Sequence, residues 1–191
     1  IPALTMTLLS RLAQRTGATV LLGYCERIGE TPDGPAFALR FEPDQQFQAF
    51  HGSPELVGLL VAIAEGRRAD WMYLAGPEGS GKTHLLLAAC AQARGVGQPA
   101  SYLPLAALAG RLGDALAGQA REGLVCLDGL DAIAGNARDE EALFHFHNAA
   151  RSAKARVLYA ASAMPEALAL GLPDLRSRLQ QCTRIALEPL D

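Results

Sequence analysis

The stretch Trp71-Met72-Tyr73-Leu74-Ala75-Gly76-Pro77-Glu78-Gly79-Ser80-Gly81-Lys82-Thr83 decides how the rest of the chain is read. An apolar run from Trp71 to Ala75 ends at Gly76, and Gly76 to Thr83 matches G-x-x-x-x-G-K-[ST] at every position, the pattern of a phosphate-binding loop. Gly76, Gly79 and Gly81 permit backbone angles that a Cβ forbids, so successive N–H groups can turn inward around an anion. Lys82 adds a positive charge. Thr83 and His84 lead into the apolar Leu85-Leu86-Leu87-Ala88-Ala89, whose helix would aim its positive dipole end at the phosphates. The Thr83 hydroxyl is placed to ligate Mg²⁺. An ordinary glycine-rich turn is the competing reading, but Lys82 is one of only two lysines in the chain and the required strand before and helix after are both present.

Outward from this loop, 191 residues that are 50% hydrophobic are enough for one substantial core. A net charge of −3 argues against a broad nucleic-acid-binding surface, while leaving room for a local basic patch. The cysteines at 25, 90, 126 and 182 are widely spaced and sit mostly in apolar runs, so they read as buried thiols rather than metal ligands or a disulfide frame. No apolar run is long enough to span a bilayer and no signal peptide is visible, which gives a cytoplasmic expectation. A chain starting at Ile1 and stopping at Asp191 reads as a fragment at both ends.

Along the chain, Leu4, Leu8, Leu9 and Leu12 predict a short amphipathic helix, Thr19 to Tyr24 a strand, Gly29 to Pro35 a turn and Ala36 to Phe41 a second strand. Residues 1–42 are thus an N-terminal extension too small for a core of its own, either native or a fusion remnant. Pro43 to Phe50 reads as a loop. Ser53-Pro54 begins a helix that runs to about Glu65, Ala100 to Leu103 is a strand, and Leu105 to about Leu116 a helix. Gly123-Leu124-Val125-Cys126-Leu127-Asp128 is an apolar strand closed by an acid, and a carboxylate at that sheet edge is what Mg²⁺ chemistry requires opposite a phosphate loop. Asp139 to Ser152 predicts a helix on which His145 and His147, two apart, point to different sides and cannot share a metal. Arg156 to Ala161, then Pro173 to Leu179, then Cys182 to Leu187 complete a strand, helix, strand order. Strands alternating with helices at this spacing predict an α/β fold with a parallel sheet covered on both faces.

Residues 43–191 resemble the AAA+ nucleotide-binding domain of the DnaA replication-initiator family, most closely its regulatory Hda branch. The likeness is carried by Tyr73 to Leu86 with its Thr83-His84-Leu85-Leu86 continuation, by Ala100-Ser101-Tyr102-Leu103-Pro104-Leu105, by Leu127-Asp128-Gly129-Leu130-Asp131-Ala132-Ile133-Ala134-Gly135, and by Leu172-Pro173-Asp174-Leu175-Arg176-Ser177-Arg178-Leu179. It implies an AAA+ P-loop three-layer α/β/α sandwich, with the helical lid and its sensing arginine absent from this stretch. It implies ATP or ADP with Mg²⁺, nucleotide contacts from Gly76, Pro77, Glu78, Gly79, Ser80, Gly81, Lys82, Thr83 and His84, metal holding by Thr83 and Asp128, and a first sensor at Ser162. Arg178 stands where this family puts an arginine finger that reaches a neighbouring subunit's nucleotide. Residues 1–42 weakly resemble a late segment of lipid A acyltransferases, without any catalytic motif of theirs.

The departures from the family pattern shape the expected activity. The second acid that usually follows the metal-binding Asp is here Gly129, and Asp131 is the nearest substitute, expected to turn away; intrinsic hydrolysis should be slow or nearly nil. Ser162 replaces the usual Asp or Asn. The Hda branch also carries a Gln-containing peptide for the β sliding clamp, and at that place Pro35-Ala36-Phe37-Ala38-Leu39-Arg40-Phe41 has no Gln. The expected role is a regulator that promotes hydrolysis of DnaA-bound ATP, with DnaA as partner, the clamp and clamp-loaded DNA as further contacts, self-association as an option and no membrane. The alternative is an initiator or helicase loader acting as a nucleotide-gated DNA motor.

Overall fold

The computed structural model describes residues 23–31, 34–41, 53–120 and 123–189, and the chain divides into two compact units, Ile1–Glu42 and Pro43–Asp191. In the first unit, β1 (Gly23–Thr31) pairs antiparallel with β2 (Gly34–Phe41). The ladder runs from Gly23 opposite Phe41 to Thr31 opposite Gly34, with a register shift between Arg27 and Gly29. This corrects the sequence reading, which gave Gly29 to Pro35 to a turn. The bulge absorbs the irregular position, and cross-strand pairing then overrides the turn preference of Gly29, Glu30 and Pro35. The helix expected within residues 4–16 and the loop at 43–50 lie outside the described residues, as does most of the strand expected from Thr19.

The second unit is built on a five-stranded sheet in the order β4-β5-β6-β3-β7: β3 (Met72–Ala75), β4 (Ala100–Pro104), β5 (Leu124–Asp128), β6 (Arg156–Ala161) and β7 (Thr183–Ala186). Every pairing in it is parallel. α1 (Pro54–Ala64) leads into β3, and the crossovers that parallel strands need are α2 (Lys82–Gly95), the short α3 (Leu112–Leu116), α4 (Ala137–Ser152) and α5 (Pro173–Gln180). Side chains alternate across the pleat. Met72, Leu74, Cys126, Leu158 and Ala160 join one apolar cluster with α1 and α2, whereas Tyr73, Val125, Leu127, Val157 and Tyr159 join the other with α3, α4 and α5. The result is three layers, α/β/α.

Local signals account for most element ends. Ser53 caps α1, its Oγ accepting from Leu56 N, with Pro54 in the first turn. Asn136 caps α4 in the same way, so that helix starts two residues before the expected Asp139. One expectation fails: residues 105–116 are not a single helix but a 3₁₀ turn, Leu105–Ala107, and then α3. Gly110 between them has a φ of +82°, and the buried Asp139 carboxylate accepts hydrogen bonds from Gly110 N at 2.6 Å and Leu112 N at 3.2 Å. Those N–H groups are thereby taken out of any continuous helix.

A buried arginine ties the two halves of the α1 layer to the sheet. Arg156, at the start of β6, donates from Nη1 to Ile63 O at 2.6 Å and Ala64 O at 3.0 Å, and from Nη2 to Gln98 Oε1 at 3.2 Å. The last carbonyls of α1 are satisfied by a cation, the charge that a helix C-terminus favours.

Candidate functional site

The phosphate loop leaves β3 at its C-terminal edge and feeds α2, as the motif requires. Gly76 is packed so tightly that a Cβ there would lie 2.6 Å from Ser80 Oγ and 2.7 Å from Leu187 O. Gly79 and Gly81 have φ of +80° and +82°, the left-handed region that disfavours any side chain. Gly81 is the N-cap of α2 and offers no side-chain cap, so the first-turn N–H groups of that helix face the loop without a capping side chain. Ser80 is buried, Pro77, Glu78 and Gly79 are exposed, and His84 is half-buried one residue beyond Thr83. Lys82 Nζ donates to Gly76 O at 2.6 Å, Pro77 O at 2.6 Å and Ser80 Oγ at 3.1 Å. Burial pulls its pKa below the usual lysine value, against the opposing pull of Asp128, Asp131 and Glu78.

Asp128 arrives from β5. Two residues past Cys126, it falls on the α2 face of the sheet, and its Oδ2 accepts a hydrogen bond from Thr83 Oγ1 at 2.6 Å. The carboxylate, the threonine hydroxyl and the loop lysine therefore share one sheet edge, where α/β folds hold ligands. The same Oδ2 also accepts from the Tyr102 hydroxyl at 2.8 Å. Sequence reasoning placed Tyr102 on a strand but gave it no role; seeing it requires the β4–β5 register. Burial first, then the Asp128 carboxylate, raise the phenol's pKa, so it stays a hydrogen-bond donor.

Gly129 follows Asp128 with a φ of +80° and supplies no second carboxylate. Asp131 does not turn away from the site. Its carboxylate accepts from the Ser162 backbone N at 3.2 and 2.9 Å and from the Ser162 hydroxyl, and it lies near enough to Lys82 to act on its charge. The 3₁₀ turn Leu130–Ala132 folds this acid back to the end of β6.

Arg178 is on the last turn of α5, away from the cluster around Lys82. Thr183, five residues on, pairs with Met72 at the start of β3, whereas the phosphate loop follows the end of that strand. Its charge acts on His147, which packs against Trp71 at the strands' N-terminal edge. Among the described residues no carboxylate pairs with it. Its neighbour Arg176 is turned inward instead, donating from Nη2 to Leu170 O.

The residues present fit a nucleotide phosphate, because the uncapped first-turn N–H groups of α2 face the loop, Gly79 leaves open space beside it, and Lys82 supplies a positive charge there. They also fit Mg²⁺ in the form that relies on one hydroxyl, one carboxylate, phosphate and water; no cluster of three or more His, Cys, Asp or Glu suited to a metal occurs among the described residues. No protein-family model matches the chain. Among solved structures, AMPPCP-bound DnaA from Aquifex aeolicus is similar over 77% of this chain and 51% of that one, with 22% identity and a TM-score of 0.65. Domain III of Thermotoga maritima DnaA is similar over 78% of this chain and 69% of that one, with 23% identity and a TM-score of 0.64. The fold is that of an AAA+ P-loop domain. The structure of DnaI gives 15% identity and a TM-score of 0.59 over 80% of this chain and 93% of that one. The chain spans about half the length of the first replication-initiator chains that it matches. None of its described helices is long and apolar enough to cross a membrane.

Proposed function

We propose that residues 43–191 bind ATP or ADP with Mg²⁺ and regulate a DnaA-type ATPase by promoting hydrolysis of the ATP that it holds. Gly76 to Gly81 would wrap the phosphates, Lys82 would pair with their charge, Thr83 would ligate the metal and Asp128 would hold it through water, while His84 and Ser162 border the nucleotide. Bound Mg²⁺ would neutralise developing phosphate charge. The observation that carries the regulatory part is the position of Arg178: a guanidinium on α5 with no carboxylate partner among the described residues, away from its own phosphate loop, suits delivery to a second molecule's γ-phosphate. Gly129 in place of a second acid, with Asp131 committed to Ser162, supports slow turnover in the chain's own site.

DnaA is the proposed partner. A clamp contact through Pro35 to Phe41 is not supported, since the segment lacks Gln and its backbone is already paired with β1. The test is hydrolysis of DnaA-bound ATP, in the presence of clamp-loaded DNA, by wild-type protein and Arg178→Ala. Stimulation by wild type and its loss in the variant is expected, and equal stimulation by both removes the role of Arg178. A second reading, a nucleotide-gated initiator or helicase loader, draws on the likeness to a DnaA complex with AMPPCP and single-stranded DNA and to DnaI. Salt-dependent binding of single-stranded DNA by this protein would favour it over the regulator.

A further inference from the structure

We infer that Tyr102 is a positioning residue that fixes the Asp128 carboxylate and so sets the divalent-cation requirement of the nucleotide site. The inference rests on the nucleotide-binding reading above.

Tyr102 stands opposite Cys126 in the parallel β4–β5 pairing, and Pro104 stands opposite Asp128. Proline brings no side-chain hydrogen-bonding group, so the phenol two residues earlier is the group of β4 that reaches the carboxylate. Its ring packs on the apolar cluster under α2, and its hydroxyl meets Oδ2 at 2.8 Å. Thr83 Oγ1 meets the same oxygen at 2.6 Å. Two donors from two different elements, one on a strand and one on a helix, thus converge on one carboxylate oxygen, and Oδ1 takes no hydrogen bond among the described residues. A carboxylate held at one oxygen by a pair of donors has its rotamer chosen in advance, with the other oxygen left for a metal's water shell. Without the phenol, Thr83 alone holds Oδ2, and a threonine hydroxyl that also has to face a cation is a weaker anchor. Supporting groups of this kind characteristically change metal affinity by tenfold or more when removed.

The test uses the full chain and a fluorescent ADP analogue, titrated first in EDTA and then at fixed nucleotide with Mg²⁺, for wild type and Tyr102→Phe. Phenylalanine keeps the ring in its apolar cluster, and Trp71 fluorescence verifies that the fold is retained. The expected result is an Mg²⁺ midpoint raised about tenfold in the variant, with metal-free nucleotide affinity unchanged. Direct Mn²⁺ binding to the nucleotide complex, followed by electron paramagnetic resonance, should weaken by the same factor. An unchanged Mg²⁺ midpoint, or an equal loss of nucleotide affinity with and without metal, overturns the positioning role while leaving nucleotide binding intact. A wild-type protein that takes no nucleotide at all overturns the underlying reading instead.

Discussion

His147 should make the α/β unit, Pro43–Asp191, lose stability under mildly acidic conditions, by an amount that can be worked out. The ring is fully buried on α4, its Nδ1 3.0 Å from the Tyr159 hydroxyl and its centroid 4.5 Å from that of the Trp71 ring. Its Nε2 is buried without a hydrogen-bond partner. The doubly protonated ring would therefore carry an Nε2–H with no acceptor among the described residues, in an apolar pocket, near the charges of Arg151 and Arg178. Burial is the largest cause, followed by the two arginines, and together they lower the pKa from 6.5 to about 4. A histidine depressed in this way stays neutral when folded but takes up a proton near its ordinary pKa when unfolded. Its contribution is whole above pH 6.5, erodes as pH falls, and is gone below about 4. At about 1.4 kcal/mol per unit the full effect is about 3 kcal/mol, and about 2 kcal/mol of it is lost by pH ~5. The assay is urea unfolding followed through Trp71, the chain's single tryptophan, at pH ~7.5 and ~5, for wild type and His147→Gln. Wild type should lose about 2 kcal/mol more than the variant over that interval. Equal losses, or an imidazole that titrates near 6.5 by NMR in the folded protein, would refute the reasoning.

Two further substitutions probe other parts of the frame. Arg156→Met leaves the Ala64 carbonyl without its donor and the Ile63 carbonyl with only Gly66 N, and should cost about 2 kcal/mol in urea unfolding; a loss below about 0.5 kcal/mol would mean that the Ala64 carbonyl finds water. Gly76→Ala forces a Cβ to within 2.6 Å of Ser80 Oγ and 2.7 Å of a backbone oxygen. Nucleotide affinity, measured by calorimetry, should fall by about 100-fold or more as the loop shifts, and wild-type affinity in that variant would show that the loop does not cradle the ligand.

What could be read from the chain without coordinates follows the reach of each interaction along the sequence. The phosphate loop was legible because its glycines, lysine and threonine are contiguous and their chemistry is local. Asp128 was legible because an apolar run closed by an acid says where a strand stops. Groups whose partners lie far away in sequence were not. Asp139 and Glu140 look like ordinary acids in the first turn of a helix, yet both are buried and serve loops about 30 residues distant. Arg156 looks like a polar strand start, and its acceptors lie 58 to 93 residues upstream. Tyr102 needs the β4–β5 register before its hydroxyl can be aimed. The break inside residues 105–116 did leave a trace, Gly110 in mid-run, but only the buried Asp139 decides that the chain kinks there rather than tolerating a helical glycine.

The two chemical ends of the α/β unit differ in how much rearrangement they require, and that difference bears on the proposed role. Lys82 donates to Gly76 O, Pro77 O and Ser80 Oγ, so an entering phosphate would replace neutral acceptors with an anionic one and the ammonium would have to swing to meet it. The helix that bears Arg178 is set beforehand. Glu140, fully buried, accepts from Gly135 N at 2.7 Å, Gly171 N at 3.0 Å and Leu172 N at 2.7 Å, which fixes the residues immediately before α5 to the first turn of α4. Leu175 and Leu179 then bury the helix against the same apolar cluster as β3 and β6. A guanidinium that acts on another molecule's γ-phosphate contributes to rate only to the extent that its position is settled before docking, because ordering it afterwards draws on binding energy. In the proposed role, the buried carboxylate of Glu140 would act as a positioning group, through the residues that lead into the helix bearing Arg178.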